Sequence, residues 1–130
     1  MIRLLIADDH PLVLEGLRNV IGRAKDMVVA AEASSGQEVL DMVRKGKYDV
    51  LVLDFNMPRM DGLDILRELH REYPGLPILI LSQYPEDQLA VRMLKAGAAG
   101  YMTKESTGKD LLDAVRLIHL GGKYISKVFA

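Results

Sequence analysis

The sequence predicts an α/β protein: a parallel sheet covered by helices on both faces. Three observations lead there. Short apolar runs of strand length alternate with longer stretches of helical period along all 130 residues. The apolar runs are nearly continuous, as in strands buried on both sides. Residues that start and stop helices separate the two kinds of segment.

The elements follow in order. Ile2, Leu4, Leu5, Ile6 and Ala7 make a first strand. Pro11 opens a helix, where its missing N–H costs nothing, and Val13, Leu17, Val20 and Ile21 share one face of it. Met27 to Ala33 is a second, Ala-rich strand. Ser35-Gly36-Gln37-Glu38 has capping-box spacing: Ser35 accepts from the Glu38 N–H, and Glu38 reaches back to the cap. That helix carries Val39, Leu40 and Val43 and stops at Gly46. Val50 to Leu53 is the strongest strand signal and ends at Asp54. A loop, Phe55 to Met60, leads to a helix with Leu63, Leu66 and Leu69, closed before Pro74-Gly75. Ile78 to Leu81 finishes at Ser82, Pro85 opens a fourth helix, and Gly97 closes it. Gly100-Tyr101-Met102 is a short fifth strand, followed by Thr103 and Lys104. Thr107 to Asp110 resembles a cap for a fifth helix, whose Leu111, Val115 and Ile118 face inward and which Gly121-Gly122 ends. Five strands and five helices in strict alternation pack as one domain over residues 1–130, with strand order 3-2-1-4-5 or 2-1-3-4-5.

Composition narrows the function. The chain has 17 basic and 18 acidic side chains and a net charge of −1, which argues against this segment binding nucleic acid or a membrane surface. It has no cysteine, so disulfides and thiolate sites are excluded and a reducing, cytoplasmic setting is expected. Met1 leads too quickly to Asp8-Asp9 for a signal peptide, and no apolar run approaches the roughly 20 residues of a membrane helix.

Ligands of an open α/β sheet bind beyond the carboxyl ends of its strands, where the order reverses. In the 2-1-3-4-5 order that crevice lies between strands one and three. Asp8 and Asp9 end strand one, Asp54 ends strand three, Ser82 ends strand four and Lys104 follows strand five. Asp49 falls at the opposite edge and is set aside. Three carboxylates in one crevice repel one another, and a hard cation relieves the conflict. Mg²⁺ suits two carboxylates, a carbonyl and several waters. Lys104 and Ser82 then offer a positive charge and a hydroxyl to phosphoryl oxygens, and a carboxylate is a competent phosphoryl acceptor. Taken singly, Asp8-Asp9 before His10-Pro11 reads as a turn and cap, Asp54 as a turn residue, Lys104 as solvated surface and Tyr101 as a strand aromatic. The shared position at strand ends gives the combination its weight.

These residues resemble the receiver domain of bacterial two-component response regulators over essentially the whole chain. The features are Asp8-Asp9, Asp54 with Met57-Pro58 and Asp61-Gly62, Ser82, Lys104, and the stretch Lys95 to Tyr101. The opening Ile-Ala-Asp-Asp-His-Pro and the closing Gly-Gly-Lys-Tyr-Ile-Ser resemble the NarL/FixJ-type subfamily. The resemblance implies a flavodoxin-like (βα)5 three-layer sandwich with a five-stranded parallel sheet of order 2-1-3-4-5. It implies Asp54 as phosphoacceptor, Mg²⁺ held by Asp8, Asp9, Asp54 and the Asn56 backbone carbonyl, and Ser82 and Lys104 on the phosphoryl oxygens. Ser82 and Tyr101 would be the switch, Tyr101 turning to report phosphorylation. The donor would be a phosphohistidine on a sensor histidine kinase or a small phosphodonor, and the domain would be no enzyme beyond Mg²⁺-dependent self-phosphorylation and self-dephosphorylation. Relatives usually continue into a helix-turn-helix DNA-binding domain, so either DNA binding and transcription regulation would belong to a segment beyond Ala130 or the parent lacks an effector; the resemblance also allows a homodimer, through a surface the sequence does not specify. Glu105 follows Lys104 where many receivers have proline, and a cis peptide there would cost about 3 kcal/mol. Asn56 and Tyr84, each two positions beyond a site residue, flank the expected phosphoryl group and should influence access of hydrolytic water.

Three rival readings are weighed. A flavin or nucleotide domain would carry a glycine- or hydroxyl-rich loop after strand one, the reverse of Asp8-Asp9-His10-Pro11. An aspartyl phosphatase would place Asp-x-Asp there. A non-phosphorylated flavodoxin-like protein-interaction domain is the remaining alternative, and a phosphodonor separates it from a switch.

Overall fold

The run Ile2–Ala7 forms β1, and Pro11–Gly22, opened by its proline, forms α1. They are followed by β2 (Met27–Ala33), α2 (Gly36–Lys45), β3 (Val50–Asp54), α3 (Gly62–Glu72), β4 (Ile78–Ser82), α4 (Gln88–Lys95), β5 (Gly100–Thr103) and α5 (Gly108–His119). A sixth strand, β6 (Tyr124–Ile125), follows the last helix. This computed structural model describes residues 1–57, 61–84, 88–106 and 108–125. The expected helix start at Pro85, the cap at Thr107, and Pro58, Met60 and Ser126 of the motifs lie outside them.

The sheet is parallel throughout, in the order β2-β1-β3-β4-β5-β6. Of the two orders open from the pattern, it is the one that sets β1 beside β3. Five of the six strands were expected. The sixth pairs Tyr124 with Gly100 and Ile125 with Tyr101, and its Tyr124 N–H donates to the Ala99 carbonyl at 2.9 Å. β2 carries an irregularity: its register against β1 shifts between Leu4 and Leu5, which pair with Val29 and Ala31.

Side-chain alternation along the strands divides the core in two. Leu5, Leu51, Leu53, Ile78, Ile80 and Tyr101 pack with α2, α3 and α4 through Val39, Leu66, Leu69 and Met93. Leu4, Ile6, Val50, Val52, Leu79 and Met102 pack on the other side with α1 and α5 through Leu17, Ile21, Val115 and Ile118. The result is three layers. Each such Leu or Ile, fully buried, contributes roughly 1.5–3 kcal/mol.

Local signals account for the helix ends. Ser35 Oγ accepts from the Glu38 N–H at 3.2 Å, as its spacing predicts. The reciprocal half differs: Glu38 Oε1 accepts from Ser34 Oγ at 2.8 Å, because a hydroxyl one residue earlier lies within reach. Gly97 follows α4 at φ 116°, in the left-handed region that favours glycine. A Cβ there would collide with the imidazole ring of His70 on α3. Gly97→Ala therefore faces both backbone strain and a ring collision, and should destabilise the chain by more than about 1 kcal/mol. His70→Ala should recover only the collision part, which urea denaturation of the single and double variants reads directly.

Candidate functional site

The carboxyl ends of β1, β3, β4 and β5 bring polar residues to one rim of a largely apolar sheet. Asp8, Asp54 and Ser82 are buried polar side chains, at 0%, 1% and 0% exposure. Asp9 is half-buried, and the Lys104 side chain reaches in from the end of β5 with a fifth of its surface exposed. Lys104 Nζ lies 3.2 Å from Asp8 Oδ2 and 3.1 Å from Asp54 Oδ1, so it bridges two carboxylates from different strands. Backbone pairing fixes these positions: Lys104 N–H donates to the Ser82 carbonyl at 2.8 Å, and Phe55 N–H to the Leu81 carbonyl at 2.9 Å. No cis peptide occurs among the described residues, Lys104–Glu105 included.

Short turns aim the carboxylates. Asp54 Oδ1 accepts from the Asn56 N–H at 3.0 Å, and Asp8 Oδ1 from the His10 N–H at 2.9 Å. Ser82 Oγ accepts from the Tyr84 N–H at 3.0 Å, which leaves its own proton to donate elsewhere. Tyr101 is wholly buried, and its hydroxyl donates to the Tyr84 carbonyl at 3.2 Å. The ring thus ties β5 to the segment just beyond Ser82. Asp49, set aside from the pattern, lies at the other edge, where its Oδ2 accepts from the Arg3 N–H at 2.7 Å.

Electrostatics mark the centre. Burial raises the Asp54 pKa above the ordinary carboxylate value; the Asn56 N–H opposes this, the Asp8 charge adds to it, and Lys104 only partly offsets it. Burial alone would lower the Lys104 pKa, but Asp54 and Asp8 outweigh it and hold the ammonium charged. Asp8 Oδ2, Asp9 Oδ1, Asp54 Oδ2 and Asn56 Oδ1 are buried without a hydrogen-bond partner. Asp8 Oδ2 and Asp9 Oδ1 do have a nitrogen at ion-pair distance, Lys104 Nζ and His10 Nδ1, without hydrogen-bond alignment.

Unsatisfied carboxylate oxygens that converge in this way fit a divalent cation. One ligand atom each from Asp8, Asp9, His10 and Asp54 all fall within 4.8 Å of one another. His10 was not foreseen as a member. Next to Pro11 it reads as a cap, yet it makes no side-chain cap bond to α1, and its ring turns back onto the aspartates. Its adjacency to the acidic pair was the available signal. Among the described residues, no helix is long and apolar enough to cross a membrane.

Known proteins share this fold and sequence pattern. The response regulator receiver domain matches residues 4–116. The response regulator GacA of Pseudomonas viridiflava is 38% identical over 130 residues, all of this chain and 61% of that protein. The chain thus spans about three fifths of that relative's length. The isolated receiver domain of RcsB from Salmonella enterica serovar Typhimurium, solved with the phosphomimetic BeF3−, superposes with a TM-score of 0.89 at 26% identity, covering 97% of this chain and 94% of that one. The receiver domain of NarL from Mycobacterium tuberculosis gives 0.85 at 31% identity, covering 92% and 97%. On these similarities the chain belongs to the response regulator receiver domains of two-component systems, of the NarL/FixJ type.

Proposed function

We propose that this domain is a phosphorylation-dependent switch that accepts a phosphoryl group on Asp54 from a phosphohistidine of a sensor histidine kinase, or from a small phosphodonor. One observation carries the reading: Asp54 is buried beside Lys104, and its Oδ2 has no hydrogen-bond partner. That oxygen is the nucleophile. It attacks phosphorus in line, a P–O bond forms, and the P–N bond to the donor imidazole breaks with its electron pair leaving on nitrogen. The reaction needs little from the protein beyond positioning and charge. Asp8, Asp9, Asp54 and the Asn56 backbone carbonyl would hold Mg²⁺, which neutralises charge on the incoming phosphoryl oxygens.

Lys104 already lies against Asp54 Oδ1, so a short movement carries its ammonium onto a phosphoryl oxygen. Ser82 keeps its hydroxyl proton for another. Asn56 and Tyr84 stand beside these groups and govern the approach of hydrolytic water. The product adds roughly 1.5–2 negative charges to the rim. Movement of Ser82 draws on the segment that holds Tyr101 through the Tyr84 carbonyl, and the ring leaves its inward position. Inactive and active arrangements must then differ by only a few kcal/mol. Residues 1–130 form the receiver, transcription control and DNA binding reside in a further helix-turn-helix domain, the active form is a homodimer, and the protein works in the cytoplasm.

Acetyl phosphate with Mg²⁺ should add one phosphate to the wild type by intact mass, as an acid-stable, hydroxylamine-labile acyl phosphate. Millimolar Mg²⁺ alone should raise Tm, since a ligand of the native state stabilises it, and Asp9→Asn should abolish the rise. No mass gain would favour the plain interaction domain; a Tm indifferent to Mg²⁺ would reject the cation centre.

A further inference from the structure

His10 brings an imidazole nitrogen to a cluster whose other candidate metal ligands are carboxylate oxygens. Its Nδ1 is hydrogen-bonded to Asp8 Oδ1 at 2.9 Å, where a bound ion would take the place of the shared proton, and lies 3.1 Å from Asp9 Oδ1. Atoms that bind one ion at about 2.0–2.1 Å stand about 2.9–3.4 Å apart at neighbouring corners, from octahedral to tetrahedral geometry. Both His10 distances fall in that interval. The backbone already sets the ring over the cluster, because the His10 N–H donates to the same Asp8 oxygen. An acidic cluster by itself selects no ion. Here, though, the fully buried Asp54 keeps Oδ2 without a hydrogen-bond partner, Asp8 Oδ2 faces the Lys104 ammonium at 3.2 Å without hydrogen-bond alignment, and the imidazole lies on the solvent side with 58% of its side chain exposed.

The donor set decides which ion gains. Mg²⁺ takes oxygens, keeps several waters and draws little from an imidazole. Zn²⁺ and Ni²⁺ accept imidazole readily and bind mixed nitrogen and oxygen sites more tightly. We propose that His10 is a metal-selectivity residue: its Nδ1 joins Asp8, Asp9 and Asp54 around an imidazole-preferring divalent ion such as Zn²⁺. The centre then holds Zn²⁺ more tightly than Mg²⁺, which binds through oxygens alone. This rests on the acidic cluster being the cation centre proposed above.

Calorimetric titration with Zn²⁺, and separately with Mg²⁺, tests it on the 130-residue chain. The chain has three histidines, so His70→Gln and His119→Gln are built into the background to silence the other two. On that background the chain should bind one Zn²⁺, more tightly than Mg²⁺. His10→Gln should weaken Zn²⁺ at least about 10-fold and leave Mg²⁺ affinity unchanged, which also reports that the variant is folded. Co²⁺ bound to the same pair of proteins should show a visible spectrum that shifts when the ring nitrogen is lost. Equal Zn²⁺ affinity with and without His10, or an equal fall for both ions, would overturn the proposal, the second because the ring would then only brace the carboxylates. Mg²⁺ binding that persists in either case spares the cation centre. Failure of the His10-containing chain to bind either ion would remove the centre and the inference together.

Discussion

Asp54→Asn should abolish phosphorylation by acetyl phosphate while making the cation-free protein more stable at neutral pH. The first effect follows from replacing the only nucleophilic oxygen of the mechanism with an amide. The second follows from the direction of the Asp54 pKa. Burial, reinforced by the Asp8 charge, raises it above 3.8, so the folded chain binds a proton more tightly than the unfolded chain. Stability therefore falls as pH rises from the ordinary carboxylate range through the raised value, and above that window the ionised Asp54 is a constant penalty. The neutral isostere removes the penalty. Its urea midpoint should exceed that of the wild type at pH 7 without divalent ions, the gap should close as pH falls below the window, and Mg²⁺ should narrow it at neutral pH. A midpoint at or below that of the wild type in metal-free buffer would show that Lys104 already compensates the charge. Retained phosphorylation would displace Asp54 as the acceptor.

Leu66→Ala carries the largest expected cost to folding. Leu66 lies on α3, is fully buried, and fills the layer between the sheet and α2, α3 and α4. Truncation removes its transfer free energy and leaves a cavity that neighbouring strands, paired on both sides, cannot close. The expected loss is about 3 kcal/mol, a large share of the 5–15 kcal/mol that a domain of this kind possesses. The denaturant midpoint should fall with an unchanged slope. A loss below about 1 kcal/mol would mean that the α3 layer relaxes into the space.

Much of this architecture is legible in the chain because its signals are redundant. Val50 to Leu53 is apolar at every position, Pro11 and Ser35 mark helix starts, and Gly97 marks an end at the φ the turn requires. The carboxylates and Lys104 are found from the same punctuation, since each closes an apolar run. What stays hidden is set by contacts between distant segments. Two strand orders satisfy the pattern equally, and only packing chooses between them. Tyr124–Ile125 is too short to show a period and follows the paired glycines Gly121-Gly122, which read as an end of structure. The ring of His10 is invisible in the pattern because its partners lie behind it in sequence while Pro11 points the reading forward to a helix.

The sixth strand also bears on solubility. Without it, β5 would present a bare ladder of amides and carbonyls, a ready template for edge-to-edge aggregation. Among the described residues, Tyr124 and Ile125 occupy that ladder beside Gly100 and Tyr101. At the far border the displaced register of β2 and the ion pair of Glu32 with Arg18, at 2.7 Å, spoil the flat surface that fibrous growth needs. Each border of the sheet thus carries a different feature that discourages edge-to-edge pairing.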